Sequence, residues 1–484
     1  MKTIYLIYPK KIGTIAPEIY GHFTEHIGGV IYDGLWVGKD SSIPNINGFR
    51  KELIEKLKAI NPPVIRWPGG CFAEGYDWRD GIGENRPTRP YWWTPDDGRY
   101  ESNEVGTHEF MELCEMTGAK AYFAANLTSV SPLHIRNWMD YCLSPKGTTT
   151  LAKEREKNGH PEPFEIPYWG VGNENWGDGG NMRPETYADE FRRYVSVMNN
   201  IDSKVDFFAC GSNSFEYEWT HGVVPILASS LKYVNGYSMH YYCCFEGSCG
   251  DAVDFTVDEW DKLMVRANRM EEIIERNWNI ICSHAMQEYC KLVVDEWGCW
   301  HAKRAKLGAN KHLLEQQSTM RDAMVTAITL NIFNRHCDKV KMANVAQLVN
   351  NLHALFLAEG EHCITTPTYH VFDMYKGHQG AEAIDVCVSE NDDVATSLSV
   401  SASCKDGKTL VTIGNLSATE DAVISLNGTG MELPSKGVMY LLAHEDIHAH
   451  NTFENPDTVV PTMKEFNPRK SIVIPKAGIV TLQF

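Results

Sequence analysis

Pro167-Tyr168-Trp169-Gly170-Val171-Gly172-Asn173-Glu174-Asn175-Trp176-Gly177 passes from apolar residues through glycine to an amide–carboxylate pair ahead of a tryptophan. A short apolar run that breaks into a bend reads as a buried strand entering a loop. Glu174 then stands at the carboxyl end of that strand. Leu292-Val293-Val294-Asp295-Glu296-Trp297-Gly298 repeats the design: a β-branched run, a carboxylate, a tryptophan and a glycine. Two strands of one sheet that each end in a glutamate can set two carboxyl groups across a single cleft.

Outward from these stretches, from about residue 17 to about residue 370, strand-like and helix-like runs alternate. Residues 18–23, 64–67, 119–124, 168–172, 205–209, 234–240, 292–295 and 340–345 are eight strand candidates. Between them, Phe49, Leu53 and Leu57 share a helical face, as do Phe110, Leu113 and Thr117, and Tyr187, Phe191, Tyr194, Val195 and Met198. Gly118 stands where a helix C-terminal cap belongs, and Pro184 near a helix start. Eight alternations predict a (β/α)8 TIM barrel with insertions. A doubly wound sheet would carry a Gly-rich phosphate turn after its first strand, and none is present. In a barrel, polar residues at the carboxyl ends of strands face the active site. Glu25-His26, Arg66-Trp67, Asn126, Asn173-Glu174, His240-Tyr241-Tyr242, Glu296-Trp297 and Gln347 all stand at such ends.

Beyond about residue 375 the texture changes to short period-two runs, at 396–401, 409–413, 423–426, 438–442 and 471–474, broken by Asp406-Gly407, Asn427-Gly428 and Pro475. This predicts an all-β sandwich. The expected organisation is an N-terminal strand in 1–16, a catalytic barrel over 17–372 and a β-sandwich over 373–484.

The 484 residues carry a formal charge of −18, which gives no electrostatic footprint for a phosphate backbone and speaks against nucleic acid and anionic membranes. Apolar residues make up 43% and charged residues 22%, as in a globular protein. The N-terminal apolar run is too short for a signal peptide, and no run is long enough to span a bilayer, so a cytoplasmic location is expected. The 14 cysteines have no framework spacing and read as reduced thiols. Cys243, Cys244 and Cys249 are the one tight group. Zinc there would need a fourth ligand such as His240, and no CxxC pair supports it, so buried thiols and no metal are expected.

Two glutamates across a sugar-sized cleft can divide the work of glycoside cleavage, one protonating the leaving oxygen and the other attacking or activating water. Trp176, Trp297, Trp92 and Trp93 offer flat apolar faces for sugar rings, and Arg66 can keep one carboxylate ionised. Tyr241 and Tyr242 read equally as wall or ligand. His22, His26 and His240 read equally as structural histidines.

At this point the residues carry a resemblance. Asn173-Glu174 after one barrel strand and a second glutamate late in the barrel look like the clan A glycoside hydrolases. Tyr20-Gly21-His22-Phe23-Thr24-Glu25-His26, Arg66-Trp67-Pro68-Gly69-Gly70-Cys71-Phe72, Gly172-Asn173-Glu174, His240-Tyr241-Tyr242, Asp295-Glu296-Trp297-Gly298 and Asn344-Val345-Ala346-Gln347-Leu348-Val349-Asn350 resemble the α-L-arabinofuranosidases of glycoside hydrolase family 51. The resemblance implies a barrel with a β-sandwich that takes in the N-terminal strand, and a retaining double displacement without metal or cofactor. It implies Glu174 as acid/base and Glu296 as nucleophile. Glu25, Asn173, Tyr242, Gln347 and, in the pocket wall, Cys71 and Trp297 would meet the sugar, with Arg66 supporting the nucleophile. It further implies an exo-acting, intracellular homohexamer that takes arabinofuranosyl oligosaccharides or plant glycosides. Cys71 departs from the asparagine many members carry there, and a thiol is the poorer hydrogen-bond partner. Two other readings remain open: an endo-β-1,4-glucanase or β-xylosidase on the same scaffold, and a non-catalytic sugar-binding protein.

Overall fold

The computed structural model describes residues 1–202, 204–301, 312–389 and 397–484. After an N-terminal strand β1 (Lys2–Thr14) come eight barrel strands: β2 (Gly21–Phe23), β3 (Val64–Trp67), β4 (Lys120–Ala125), β5 (Tyr168–Val171), β6 (Asp206–Ala209), β7 (Gly236–Cys244), β8 (Lys291–Cys299) and β9 (Val340–Val345). They join in chain order into a closed barrel. All eight expected strands are present. The differences lie at their ends. Pro17–Tyr20 forms a 3-10 turn before β2, and β7 and β8 each run past the expected end.

The helical stripes fall on buried faces for the reason the periodicity gives, except that Phe49 precedes its helix in the short strand Phe49–Arg50. Leu53 and Leu57 are buried in the helix Lys51–Ala59, and Phe110, Leu113 and Thr117 in Thr107–Thr117. Gly118 closes the latter at φ 78, a left-handed conformation that glycine adopts without a Cβ penalty. Tyr187, Phe191, Tyr194, Val195 and Met198 are buried along Pro184–Met198. In β5 the side chain missing at Gly170 matters. A Cβ there would lie 2.6 Å from the Tyr122 hydroxyl, which reaches the Asp295 carboxylate at 2.8 Å. The glycine in the quoted stretch thus makes room for a buried polar contact within the barrel.

The second sheet adds β10 (Glu382–Val388), β11 (Leu398–Lys405), β12 (Lys408–Asn415), β13 (Ala422–Thr429), β14 (Gly437–Leu442), β15 (Thr462–Phe466), β16 (Ile472–Ile474) and β17 (Ile479–Gln483). Its order is β15-β14-β17-β12-β11-β10-β1-β13-β16. β1 pairs antiparallel with β10 and parallel with β13, so the N-terminal strand belongs to this sheet. Ile4, Ile424, Met439, Ile474 and Leu482, from strands far apart in that order, share one core, so the sheet folds over on itself. Position 396 of the expected strand 396–401 lies outside the described residues.

Packing divides the chain into two compact units. One comprises 1–20, 241–274 and 297–484, and the other 21–240 and 275–296. The divisions fall inside β7, after His240, and inside β8, after Glu296. The second unit therefore holds both glutamates, His240, Arg66 and Glu25.

Candidate active site

The site is built at the carboxyl ends of β2, β3, β5, β7 and β8. Glu174 follows β5 in a left-handed conformation, φ 46, which is uncommon for a residue with a Cβ. Its Oε1 lies 2.8 Å from His240 Nδ1, and Cys71 Sγ donates to its Oε2 at 3.6 Å. Glu296 accepts from Arg66 Nη1 at 2.8 Å, and its Oε2 lies 3.7 Å from the same His240 nitrogen. An oxygen of Glu174 and an oxygen of Glu296 lie within 4.8 Å of each other. Arg66 Nη2 also donates to Asn173 Oδ1 at 2.6 Å, which fixes which way that amide points. Glu25 Oε1 accepts the Phe72 N–H at 3.1 Å. Gly70 lies among these groups. A Cβ there would come 2.8 Å from Glu296 Oε1, 3.4 Å from Asn173 Nδ2 and 3.5 Å from Glu25 Oε1, so any side chain would intrude on the polar cluster.

Burial sets the electrostatics. Arg66 is enclosed, with its guanidinium 4.5 Å from the Phe23 ring centroid. Desolvation opposes its charge, but the Asp295 and Glu296 carboxylates outweigh it and hold its pKa above the ordinary value. For His240 burial likewise favours the neutral ring, yet Glu296 and Glu174 outweigh it and raise the pKa. The Cys71 thiol is pushed well up by burial and then by Glu174, Glu25 and Glu296, so it stays neutral and serves as a donor. Glu174 keeps 20% side-chain exposure while Glu296 keeps 8%, so Glu174 stands on the more open side.

Glu174, Glu296, Arg66, Asn173, Glu25 and Cys71 are thus brought together. Tyr242, Gln347 and Trp297 belong to the other unit. Tyr242 is half-buried, edge-on to Trp300 at 5.6 Å, and Gln347 is buried just beyond β9. Trp297 corrects an expectation. Its indole is 1% exposed and packs against Phe333 at 5.7 Å and Phe372 at 6.2 Å, so it is core and offers no open face to a sugar ring. His240, placed by the sequence at a strand end facing the site and read also as structural or as a ligand for the cysteine group, bridges the two glutamates. Glu74 was overlooked. The signal was its place three residues after Cys71, one turn along the 3-10 segment Cys71–Gly75.

Glu174, His240 and Glu296 converge closely enough to hold a cation, as do Cys299, His301 and Asp322 among the described residues. Each group already contains a guanidinium: Arg66 on Glu296 at 2.8 Å, and Arg321 Nη2 at 3.2 Å from His301 Nδ1. All 14 cysteines are free thiols, and Cys243 Sγ lies 3.7 Å from Cys299 Sγ.

Sequence and structure comparisons agree with this geometry. Residues 56–262 match the model of the α-L-arabinofuranosidase 1 domain, and residues 295–476 that of the α-L-arabinofuranosidase C-terminal domain. The intracellular exo-α-L-arabinofuranosidase of Bacteroides ovatus is 37% identical over 97% of this chain and 93% of its own. The crystal structure of the GH51 arabinofuranosidase from Xanthomonas axonopodis pv. citri superposes with a TM-score of 0.91 at 36% identity, covering all of both chains. The arabinose complex of the Thermotoga maritima α-L-arabinofuranosidase gives 0.87 at 26% identity, again over all of both chains. Likeness along the whole length, carried by sequence and backbone alike, means that this chain belongs to the α-L-arabinofuranosidases of glycoside hydrolase family 51.

Proposed function

We propose that the protein is a retaining, exo-acting α-L-arabinofuranosidase that removes terminal arabinofuranosyl groups from oligosaccharides or plant glycosides in two displacements. Glu296 attacks the anomeric carbon while Glu174 protonates the departing oxygen. Glu174 then takes a proton from the water that releases the sugar. The observation that carries this reading is the closeness of the two carboxyl groups, within 4.8 Å by their nearer oxygens. Retaining glycosidases keep them about 5–5.5 Å apart, whereas inverting ones leave about 6.5–9.5 Å for a water.

The surroundings support the division of labour. Arg66 holds Glu296 ionised and aimed. The 2.8 Å hydrogen bond between His240 Nδ1 and Glu174 Oε1 orients the Glu174 carboxyl in the site. Glu25 and Asn173, with Tyr242 and Gln347 from the resemblance, position the furanose. Cytoplasmic residence and a homohexamer are carried over from the resemblance alone.

The test is rescue by azide. A Glu174→Ala variant given a 4-nitrophenyl arabinofuranoside and azide should yield the arabinofuranosyl azide of retained configuration. The same product from Glu296→Ala instead would reverse the two roles. Release from a xyloside or cellodextrin but not from the arabinofuranoside would favour the glucanase or xylosidase reading.

A further inference from the structure

Glu74 lies in the same unit as Glu174 and Glu296 and is 1% exposed. Its carboxylate accepts four hydrogen bonds. Its Oε1 accepts the Asn173 N–H at 2.7 Å and Asn175 Nδ2 at 2.9 Å. Its Oε2 accepts the N–H groups of Leu127 and Thr128, both at 2.8 Å. Four donors on one buried carboxylate satisfy most of its lone pairs. They come from two loops, one after β4 and one after β5, so the carboxylate ties the ends of adjacent barrel strands together.

The residue between the two donors from the β5 loop is Glu174. Asn173 has a second hold, its amide being gripped by Arg66 at 2.6 Å. Glu174 has a left-handed backbone that a turn must impose, φ 46. Asn175 extends that turn, its Nδ2 donating to the Gly179 carbonyl at 2.6 Å and its carbonyl accepting the Met182 N–H at 2.7 Å. The 3-10 segment Cys71–Gly75 therefore serves one residue from two sides. Cys71 meets the Glu174 carboxyl, and Glu74 holds the Asn173 backbone before it and the Asn175 side chain after it.

We infer that Glu74 is a positioning residue for the acid/base, fixing the Asn173–Glu174–Asn175 turn so that the Glu174 carboxyl faces His240 and Glu296. This rests on the reading of Glu174 as acid/base. Burial raises the Glu74 pKa, and the Asn173, Thr128, Asn175 and Leu127 donors oppose that rise. An uncharged amide would turn an NH2 group against N–H donors and release part of the turn.

The test compares substrates that differ only in their need for a proton. Departure of 2,4-dinitrophenolate needs no general acid, whereas departure of an alkoxide does. On an alkyl arabinofuranoside, Glu74→Gln should lower kcat/KM about 10–100-fold, the scale on which small misplacements of a catalytic group act. On the dinitrophenyl arabinofuranoside the loss should stay under about 3-fold, since general acid catalysis is not called on there. Equal losses on both substrates, or none on either, would overturn the inference, because a general loss of folded protein is blind to the leaving group. Should Glu74→Gln fail to fold, Asn175→Ala removes a single donor and should give the same pattern at about 3–10-fold; its absence would be equally fatal. Glu174→Gln, run alongside, separates the two failures. If it too lacks leaving-group dependence, the acid/base assignment falls. If it alone shows the dependence, only the role of Glu74 does.

Discussion

Two buried clusters in this protein are assembled from the same parts, a histidine, carboxylate and an arginine, and they end in opposite conditions. Around Asp322 every bond is turned inward. Its Oδ2 accepts from the Thr319 N–H at 2.8 Å, capping the helix Met320–Arg335. Its Oδ1 meets His301 Nε2 at 2.8 Å and His353 Nδ1 at 3.5 Å. His301 Nδ1 in turn faces Arg321 Nη2 at 3.2 Å, so the ring is a neutral link between cation and anion. Burial lowers the His301 pKa, and His301 and His353 hold Asp322 well below the ordinary carboxylate range against its own burial. The cluster is a closed network fastening a helix start. Around His240 two carboxyl groups share one imidazole and one guanidinium, and one of them, Glu174, stays partly exposed. Setting two carboxyl groups this close to each other against an opening costs stability and leaves proton-transfer capacity for a substrate.

The comparison breaks most sharply on Glu296, the proposed nucleophile. Glu296→Ala should lower kcat by about 10⁴-fold or more, as loss of an attacking group does elsewhere, with the unfolding midpoint held or raised because a crowded carboxylate is gone. A large fall in stability would mean that Glu296 is a fastening residue like Asp322. The converse substitution, Asp322→Ala, strands His301, His353 and the helix cap. It should cost about 3–5 kcal/mol in denaturant titration while kcat per folded molecule is unchanged. A subtler separation comes from pH. The raised His240 pKa means that folding takes up a proton, a contribution fully present below about pH 6.5 and lost as the pH rises through the folded value. The depressed Asp322 pKa has the opposite sign. Its contribution is present above about pH 3.9 and lost as the pH falls through the folded value. Melting temperature followed against pH should therefore flatten on the neutral-to-alkaline side in His240→Gln and on the acid side in Asp322→Asn. Exchange of those two profiles would invert the comparison.

Much of this was legible in the sequence because it depends on local period. Eight apolar runs separated by amphipathic stripes required a barrel, since a parallel strand buried on both faces has to be apolar throughout and each crossover helix needs one apolar side. Glu174 and Glu296 were legible for the same reason, as polar residues ending such runs. Trp297 was misread because a tryptophan beside a strand-end glutamate has the same local pattern whether its ring faces a cleft or Phe333 and Phe372. His240 was underread because its significance lies in two carboxylates from other strands. Glu74 was passed over because its spacing from Cys71 says nothing of Leu127, Thr128, Asn173 and Asn175, which all point their donors at it.

The sequence by itself determined the strand count, the helix faces, the change to an all-β region and the two glutamates. These follow from hydrophobic period and from residues at strand ends, which need no knowledge of distant partners. Only the tertiary structure decided which groups meet: that Arg66 grips both Glu296 and Asn173, that one histidine spans both glutamates, and that a buried carboxylate holds the turn bearing Glu174. The physical reason is range. Periodicity is fixed by neighbours along the chain, whereas proton sharing and ion pairing depend on separations of a few ångströms between strands, which only closure of the barrel sets.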